Sequence, residues 1–431
     1  MKRILLAFAA LFAGTLSALA QSENLLATFE VGNNDKELKI VLGSTDGPMS
    51  YKVDFGDGTL VAGATDKAYK GWEGYVEISG KPAGSRVIKI YSNGTLTYLD
   101  ASGQVENRLI KNADLTKLAD LTELDLHMNQ LAEIDLSKNT KLTKLDLSYN
   151  NLTQLNLSAN TALTQLNLNT NAGLTSLDLS KNTALTKLTL SNCPMPSLDL
   201  SANKALHSCY LLNMGLTSLT VGEKQAAGFY LSVNNNKLTT LDLRQATGFE
   251  NKGRLFAMNN NLTELLYDKI GTANLAGNKF TFATLPTRNI KTLTYAPQQP
   301  MEIALNGSSV DLSAQQADTY TWYDTDGNEL TAGVDYKAEA GKFTFLKTPA
   351  KPVYCVLESA RFPKFAGSNV FKTTAVQPVG TAIKGASAEE TAATPVWFTP
   401  DGTFIGTGRL NLPAGLYVVK SGRKVTKVLV K

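Results

Sequence analysis

Residues 142–169 read LTKLDLSYNNLTQLNLSANTALTQLNLN. The frame Leu-x-x-Leu-x-Leu, closed three residues later by Asn, starts at Leu142 and again at Leu152, so it passes twice in every 21 residues. Followed along the chain, one series of pairs falls at Leu124/Leu126, Leu145/Leu147, Leu166/Leu168, Leu188/Leu190, Cys209/Leu211, Leu231/Val233 and Leu255/Ala257. A second series falls halfway between, at Ile134/Leu136, Leu155/Leu157, Leu177/Leu179, Leu198/Leu200, Leu219/Val221 and Leu241/Leu243. The spacing predicts two short strands per coil. In each, alternation along an extended chain turns the paired residues inward and the residue between them outward.

One such coil cannot enclose a core. Stacked at the ~4.8 Å spacing of paired strands, successive coils merge their leucines into one column, which is why such units come in arrays. Asn129, Asn139, Asn150, Asn160, Asn171, Asn182 and Asn203 sit where the chain bends inward. An amide there can bond backbone groups that the bend leaves unpaired. The frame resembles the leucine-rich repeat family, most closely at Leu142, Leu145, Leu147, Asn150 and Leu152. The variety with LDLSKNT or LNLSANT in its second half-coil is similar to short repeats of exported Bacteroidetes proteins. The resemblance implies a solenoid over residues 96–296, loosening beyond Ala257 into one or two degenerate closing coils.

The chain begins MKRILLAFAALFAGTLSALAQ, with a basic start, an apolar stretch and a small-x-small ending, the layout of a secretory signal over residues 1–20 cleaved before Gln21. No later apolar run approaches the ~20 residues needed to span a bilayer. The protein is expected to be exported, secreted or held at the outer cell surface without a transmembrane segment. Its +4 charge sits at the ends: Lys2 and Arg3 at one, seven Lys/Arg against three Asp/Glu over residues 384–431 at the other. The slightly acidic remainder carries no footprint for nucleic acid. Three cysteines, Cys193, Cys209 and Cys355, are too few for a disulfide framework and are expected to be small buried groups.

Different text flanks the repeats. Over residues 21–95 the run SYKVDFGDGTLVAG holds an Asp54–Thr59 turn that resembles the turn of PKD-like β-sandwich modules; a calcium or carboxylate-pair role for Asp54 and Asp57 is the alternative. Over residues 297–376, Trp322, an Asp-Gly hairpin, Tyr354 and Cys355 resemble an immunoglobulin-like sandwich, with Leu312 in place of the partner cysteine. Asp324, Asp326 and Asn328 mimic part of a calcium loop, but Glu329 stands where that loop needs Gly. Residues 380–431, with the Asp401-Gly402 turn, Leu412–Tyr417 and a Lys-rich end, resemble the C-terminal sorting domain of type IX secretion substrates. That resemblance implies recognition by the type IX export machinery and delivery to a Gram-negative surface. The fold class expected is mainly β: a leucine-rich repeat solenoid flanked by PKD-like and Ig-like sandwiches.

Catalysis needs convergent acid, base, nucleophile or metal groups. His127 and His207 lie about four coils apart, roughly 19 Å at the strand spacing. No zinc pattern, nucleophile elbow or phosphate loop is present, so neither catalytic residues, cofactor nor metal are expected. The two outward series differ instead. The second repeats Asp135, Asn156, Asp178, Asp199, Thr220 and Asp242, whereas the first runs Asp125, Asp146, Asn167, Thr189, Tyr210, Ser232, Phe256 and Asn274. Around the later first-series strands sit Leu212, Phe229, Tyr230 and Met258. A surface that changes from coil to coil can read a partner, and aromatic and Met groups are frequent interface anchors. Tyr210, Leu212, Tyr230, Phe256 and Met258 are therefore the candidate partner-binding residues, the partner being a host or bacterial surface protein or glycan. The rival function is a structural surface component that associates with itself; the rival role for the aromatics is packing on the following domain.

Overall fold

The computed structural model describes residues 24–32, 36–71, 73–92, 94–104, 107–224, 227–250, 252–381, 395–407, 412–421 and 424–430. The expected signal at 1–20 lies outside them. The chain divides into two compact units, Met1–Asn278 with Pro286–Tyr295, and Lys279–Leu285 with Ala296–Lys431.

In the first unit, ten parallel strands belong to one twelve-stranded sheet: Tyr98–Asp100, Glu123–Asp125, Lys144–Asp146, Gln165–Asn167, Lys187–Thr189, Ser208–Tyr210, Tyr230–Ser232, Arg254–Phe256, Ile270–Asn274 and Ile290–Thr294. Seven are the first series, in register leucine to leucine. Tyr98–Asp100 extends the sheet one coil earlier, and the last two strands are the loosened closing coils. The paired inward side chains from Leu124/Leu126 to Leu255/Ala257 are all 2% exposed or less, so the central column is dry. A β solenoid of the leucine-rich repeat type results. Threonine hydroxyls stitch the coils outside the column, Thr143 donating to Thr122 O, Thr164 to Thr143 O and Thr186 to Thr164 O, each at 3.0 Å.

The second series departs from the expectation of one strand per half-coil. Ser197–Asp199 pairs with Ser218–Thr220, and Thr240–Asp242 with Glu264–Leu266, but the segments at Ile134, Leu155 and Leu177 form no ladder. Side chains do the bonding there. Asp135, Asn156 and Asp178 fold back to accept the N–H two residues on, at 2.8, 3.0 and 2.8 Å. The same cap recurs at Asp199 and Asp242, inside the two pairs that do form.

The asparagines split into two columns. In the first, Asn150 donates to Leu126 O and Leu147 O while its Oδ1 accepts Leu131 N at 3.1 Å, and Asn129, Asn171, Asn236, Asn260 and Asn278 act alike. Just before each bend the chain turns left-handed, at Met128, Tyr149, Thr170, Asn192, Asn213, Asn235 and Asn259 (φ 55–60°). In the second column Asn139, Asn160, Asn182 and Asn203 each donate two bonds to the preceding coil. Their Oδ1 atoms are buried and meet no hydrogen-bond donor among the described residues.

Two other residue types continue the columns. Cys193 takes an asparagine place in the first, its thiol donating to Leu168 O at 3.1 Å. Lys224 takes the next place in the second: fully buried, its ammonium donates to Leu200 O (2.8 Å), Val221 O and Glu223 O (3.2 Å). Burial pushes its pKa down to about 8. All three cysteines are buried and free.

Ahead of the repeats, Asn24–Val31, Met49–Asp54, Leu60–Thr65, Val87–Ser92 and Ile110–Asp114 form a five-stranded sheet. Leu38–Gly43 pairs antiparallel with Tyr98–Asp100, so pairing runs across residue 95, where the sequence changes character. Asp54 Oδ1 accepts Gly56 N (2.8 Å) and Gly58 N (2.9 Å), and Asp57 accepts Thr59 N (2.8 Å), the bonding of a turn. Gly56 and Gly58 take φ of 104° and 82°, which a side chain would strain.

In the second unit, two three-stranded sheets hold the residues at 309–372. Trp322 stands opposite Cys355 in one sheet and meets Phe343 and Phe345 of the other edge-on at 5.5 and 5.0 Å. Leu312 is buried. Asp324 Oδ1 caps Asp326 N and Asn328 N at 2.9 Å each, a hairpin turn. Val396–Phe398, Phe404–Thr407, Gly415–Ser421 and Lys424–Val430 form a separate four-stranded sheet.

Candidate functional site

Each first-series strand shows two outward side chains, one before and one after its inward leucine. The slot after it runs Asp100, Asp125, Asp146, Asn167, Thr189, Tyr210, Ser232, Phe256 and Asn274; the slot before it runs Tyr98, Glu123, Lys144, Gln165, Lys187, Ser208, Tyr230, Arg254 and Thr272. The face therefore changes chemistry along its length.

At one end lie the candidate aromatics. Tyr230 stands diagonally between Tyr210 and Phe256, with ring centroids 5.0 and 5.3 Å apart, a separation at which tilted rings attract. All three remain half-exposed. Burial raises the Tyr230 pKa, so its hydroxyl stays protonated. Leu212 and Met258, also half-buried, follow the inward residues of their own strands, where Leu212 N donates to Ser191 Oγ and Met258 N to Asn234 Oδ1. Phe229 departs from its expected place at the edge: it is fully buried and packs edge-on against Phe249 at 5.0 Å.

At the other end is a groove of about 300 Å³ that the sequence reading missed. Its lining includes Tyr69, Tyr98, Glu123, Asp125, Lys144 and Asp146. Tyr69 and Tyr98 stack at 4.2 Å, and the Tyr69 hydroxyl donates to Glu123. Glu123 also meets Lys144 at 2.8 Å. Asp100, Asp125 and Asp146 stand in register on adjacent strands, about 4.8 Å apart per step. Neighbouring carboxylates at that distance repel by about 1 kcal/mol in water and more where half-buried. Asp125 is so placed: burial raises its pKa against the bonds it accepts from His127, and Asp146 adds to the rise. The 2.6 Å contact with Asp125 in turn raises that of His127.

His207 is exposed while Cys209 is buried, so the pair does not share a face as strict alternation would have it. Chain turning at the strand's start rotates His207 out. Among the described residues no group of three or more His, Cys, Asp and Glu is arranged to hold a metal, and no helix is long and apolar enough to cross a membrane.

Fold and face together define a mainly β solenoid of leucine-rich repeat type with an open, coil-by-coil variable side-chain surface. Among solved structures it is similar to the functional domain of InlJ from Listeria monocytogenes, described as including a cysteine ladder, at 20% identity and a TM-score of 0.43, covering 66% of this chain and 62% of that one. Internalin C2 and internalin InlF of the same organism share 19% identity, with TM-scores of 0.28 and 0.26; they cover 46% and 47% of this chain and 80% and 81% of their own. No family model and no curated protein matches the chain.

Proposed function

We propose that this is a non-enzymatic, exported binding protein of the bacterial surface, adhesin-like in action, that captures a host or bacterial surface protein or glycan on its first-series face. The observation that carries this is the contact cluster Tyr210, Tyr230 and Phe256. Asn167, Thr189 and Asn274 fill the slot of Tyr210 and Phe256, and Gln165 and Lys187 that of Tyr230, on identically paired strands, so the fold has no need of rings there. Residues 21–95 and 297–376 serve as PKD-like and Ig-like spacers, and residues 380–431 as the type IX sorting tail.

The test is capture of a ligand from host mucus or lysate by the mature chain, followed by Tyr210→Ala with Phe256→Ala. Binding weakens by about 2 kcal/mol or more if the rings are anchors. Asp178→Ala with Asp199→Ala, on the other edge, changes it by under about 0.5 kcal/mol. Both variants must keep the wild-type circular dichroism spectrum. A fall in melting temperature for the aromatic pair, without a specific loss of binding, would mean that the rings serve packing. Concentration-dependent self-assembly in place of ligand capture would favour the structural role.

A further inference from the structure

Ahead of the repeats, the five-stranded sheet ends in Leu60–Thr65, LVAGAT, a strand paired on one side only, with Met49–Asp54. A free edge offers unpaired N–H and C=O groups to any other strand, and proteins blunt it with a charge, a proline, a bulge, short length or a cover. Here six residues carry no charge and no proline, and the register runs unbroken from Asp54/Leu60 to Met49/Thr65. Nor is the strand covered: Leu60 and Val61 are 45% and 39% exposed, and Ala62 and Ala64 are exposed with them. Tyr75–Gly80 lies against its inward face, where a Cβ on Gly63 would come within 2.4 Å of Val76 Cγ2. Each other described edge strand of five residues or more holds a charge: Glu77 in Tyr75–Gly80, Lys111 in Ile110–Asp114, Lys291 in Ile290–Thr294, Asp324 in Thr319–Asp324 and Lys427 in Lys424–Val430.

Such an edge accepts an extended strand, and this one is complementary to itself. A two-fold axis normal to the sheet keeps outward side chains outward, so even-numbered residues must stand opposite even-numbered ones. Centred on Ala62, antiparallel pairing sets Leu60 opposite Ala64 and Val61 opposite Gly63, bulky against small, with Thr59 opposite Thr65. The same register brings exposed Asp57 of one copy to exposed Lys67 of the other at both ends, acid to base. Lys67 meets Glu73 of its own chain at 2.9 Å, and its ammonium has further N–H donors. A shift of two residues one way sets Leu60 beside Asp66; the other way it spends Gly63, Ala64 and Thr65 on the turn at 57–59. Charge and bulk thus favour one register and a second copy as the occupant.

We infer that two copies of this chain pair through Leu60–Thr65, antiparallel and centred on Ala62, merging their two five-stranded sheets into one. The two-fold axis closes the assembly at two. So short an edge buries less than the ~800 Å² per partner of a standard interface, so the pairing is weak, with a Kd on the order of micromolar or above. The inference goes beyond the proposed capture and does not depend on it. Where that capture holds, a pair meets a repeated surface ligand with two first-series faces and gains in avidity.

The mature full chain is followed by analytical ultracentrifugation from ~1 to ~300 µM, a range that brackets such an affinity. A reversible monomer–dimer equilibrium is expected. A chain that stays monomeric overturns the inference, and so does one that grows past two, which would favour the structural role named above. Ala62→Lys sets like charges opposite each other on an exposed position and should raise the dimer Kd by about tenfold or more, with the melting temperature unchanged. An unweakened dimer overturns the edge. Ala62→Cys reads the register directly: opposed Cα atoms lie about 4.5–5.5 Å apart, within disulfide reach, so oxidation by diamide should yield a covalent dimer. The three native thiols are buried and leave that readout clear. Ala64→Cys alone holds its two thiols ~13 Å apart and should cross-link only at the rate of random collision, whereas mixed Leu60→Cys and Ala64→Cys chains should join to each other. Cross-linking of Ala64→Cys alone as fast as that of Ala62→Cys overturns the pairing.

Discussion

Along the first series ten parallel strands share one sheet, whereas along the second only two isolated pairs form, although the leucine frame is the same at both edges. The amide columns beneath them differ in the same sense. Asn150 and its equivalents in the first column use both donor and acceptor. Asn139, Asn160, Asn182 and Asn203 in the second use only their donors. Identical sequence frames therefore yield unequal bonding, although the outward Asp and Asn caps are the same at both edges.

The comparison is tested most severely in the leucines. Leu166→Asp puts a charge into the dry column, where an unpaired ion costs several kcal/mol, and should unfold neighbouring coils. Leu155→Asp lies in a half-buried second-series position and should cost about half as much. Equal losses in chemical denaturation would show that the two edges are equally packed.

Next come the amides. Asn150→Ala leaves Leu131 N without its acceptor and removes one of the two amide bonds at Leu126 O and at Leu147 O, and should destabilise by about 3 kcal/mol. Asn160→Ala removes one of two bonds at Leu136 O and at Asn139 O, each of which keeps a backbone N–H, together with an acceptor that had no partner, and should cost about 1–2 kcal/mol. A larger loss at Asn160, read as the shift in urea midpoint, would break the ranking.

The smallest effect is a pH dependence. The Lys224 pKa is about 8 in the folded chain against 10.5 for the free side chain. Between those values the unfolded state binds more protons, so the penalty of burying the ammonium is fully present below pH 8 and is relieved as pH rises toward 10.5. Lys224→Asn, which restores the column's usual amide, should therefore gain about 1 kcal/mol over wild type at pH 7 and lose most of that advantage by pH 9.5. A pH-independent difference would mean that the three carbonyls fully offset desolvation.

Much of this was legible in the sequence. Periodicity placed the inward pairs from Leu124 to Ala257, and the bend asparagines announced their role because one short amide offers two N–H donors as well as an acceptor oxygen. Register was legible too, but side-chain contact across it was not. Tyr230 precedes its inward leucine while Tyr210 and Phe256 follow theirs, so the ring cluster emerges only when strands align and the diagonal closes. Tyr69 comes from a stretch with no repeat to place it, whereas Asp100 was within reach, since YLDA repeats the ELDL and KLDL slot one coil early. Lys224 was hidden for another reason. A lysine gives no sign in sequence that its ammonium reaches back to where an amide belongs.

The second amide column has a consequence for the history of the molecule. Because Asn160 bonds Asn139 O, Asn182 bonds Asn160 O and Asn203 bonds Asn182 O, the upper surface of each coil is a copy of the one below. Gain or loss of a whole coil by unequal recombination leaves every joint intact, while any other length throws the joints out of step. The solenoid can thus lengthen or shorten in evolution as a graduated scale does, by steps of about 4.8 Å, and so reset the interval between its acidic groove and its aromatic end without redesigning either.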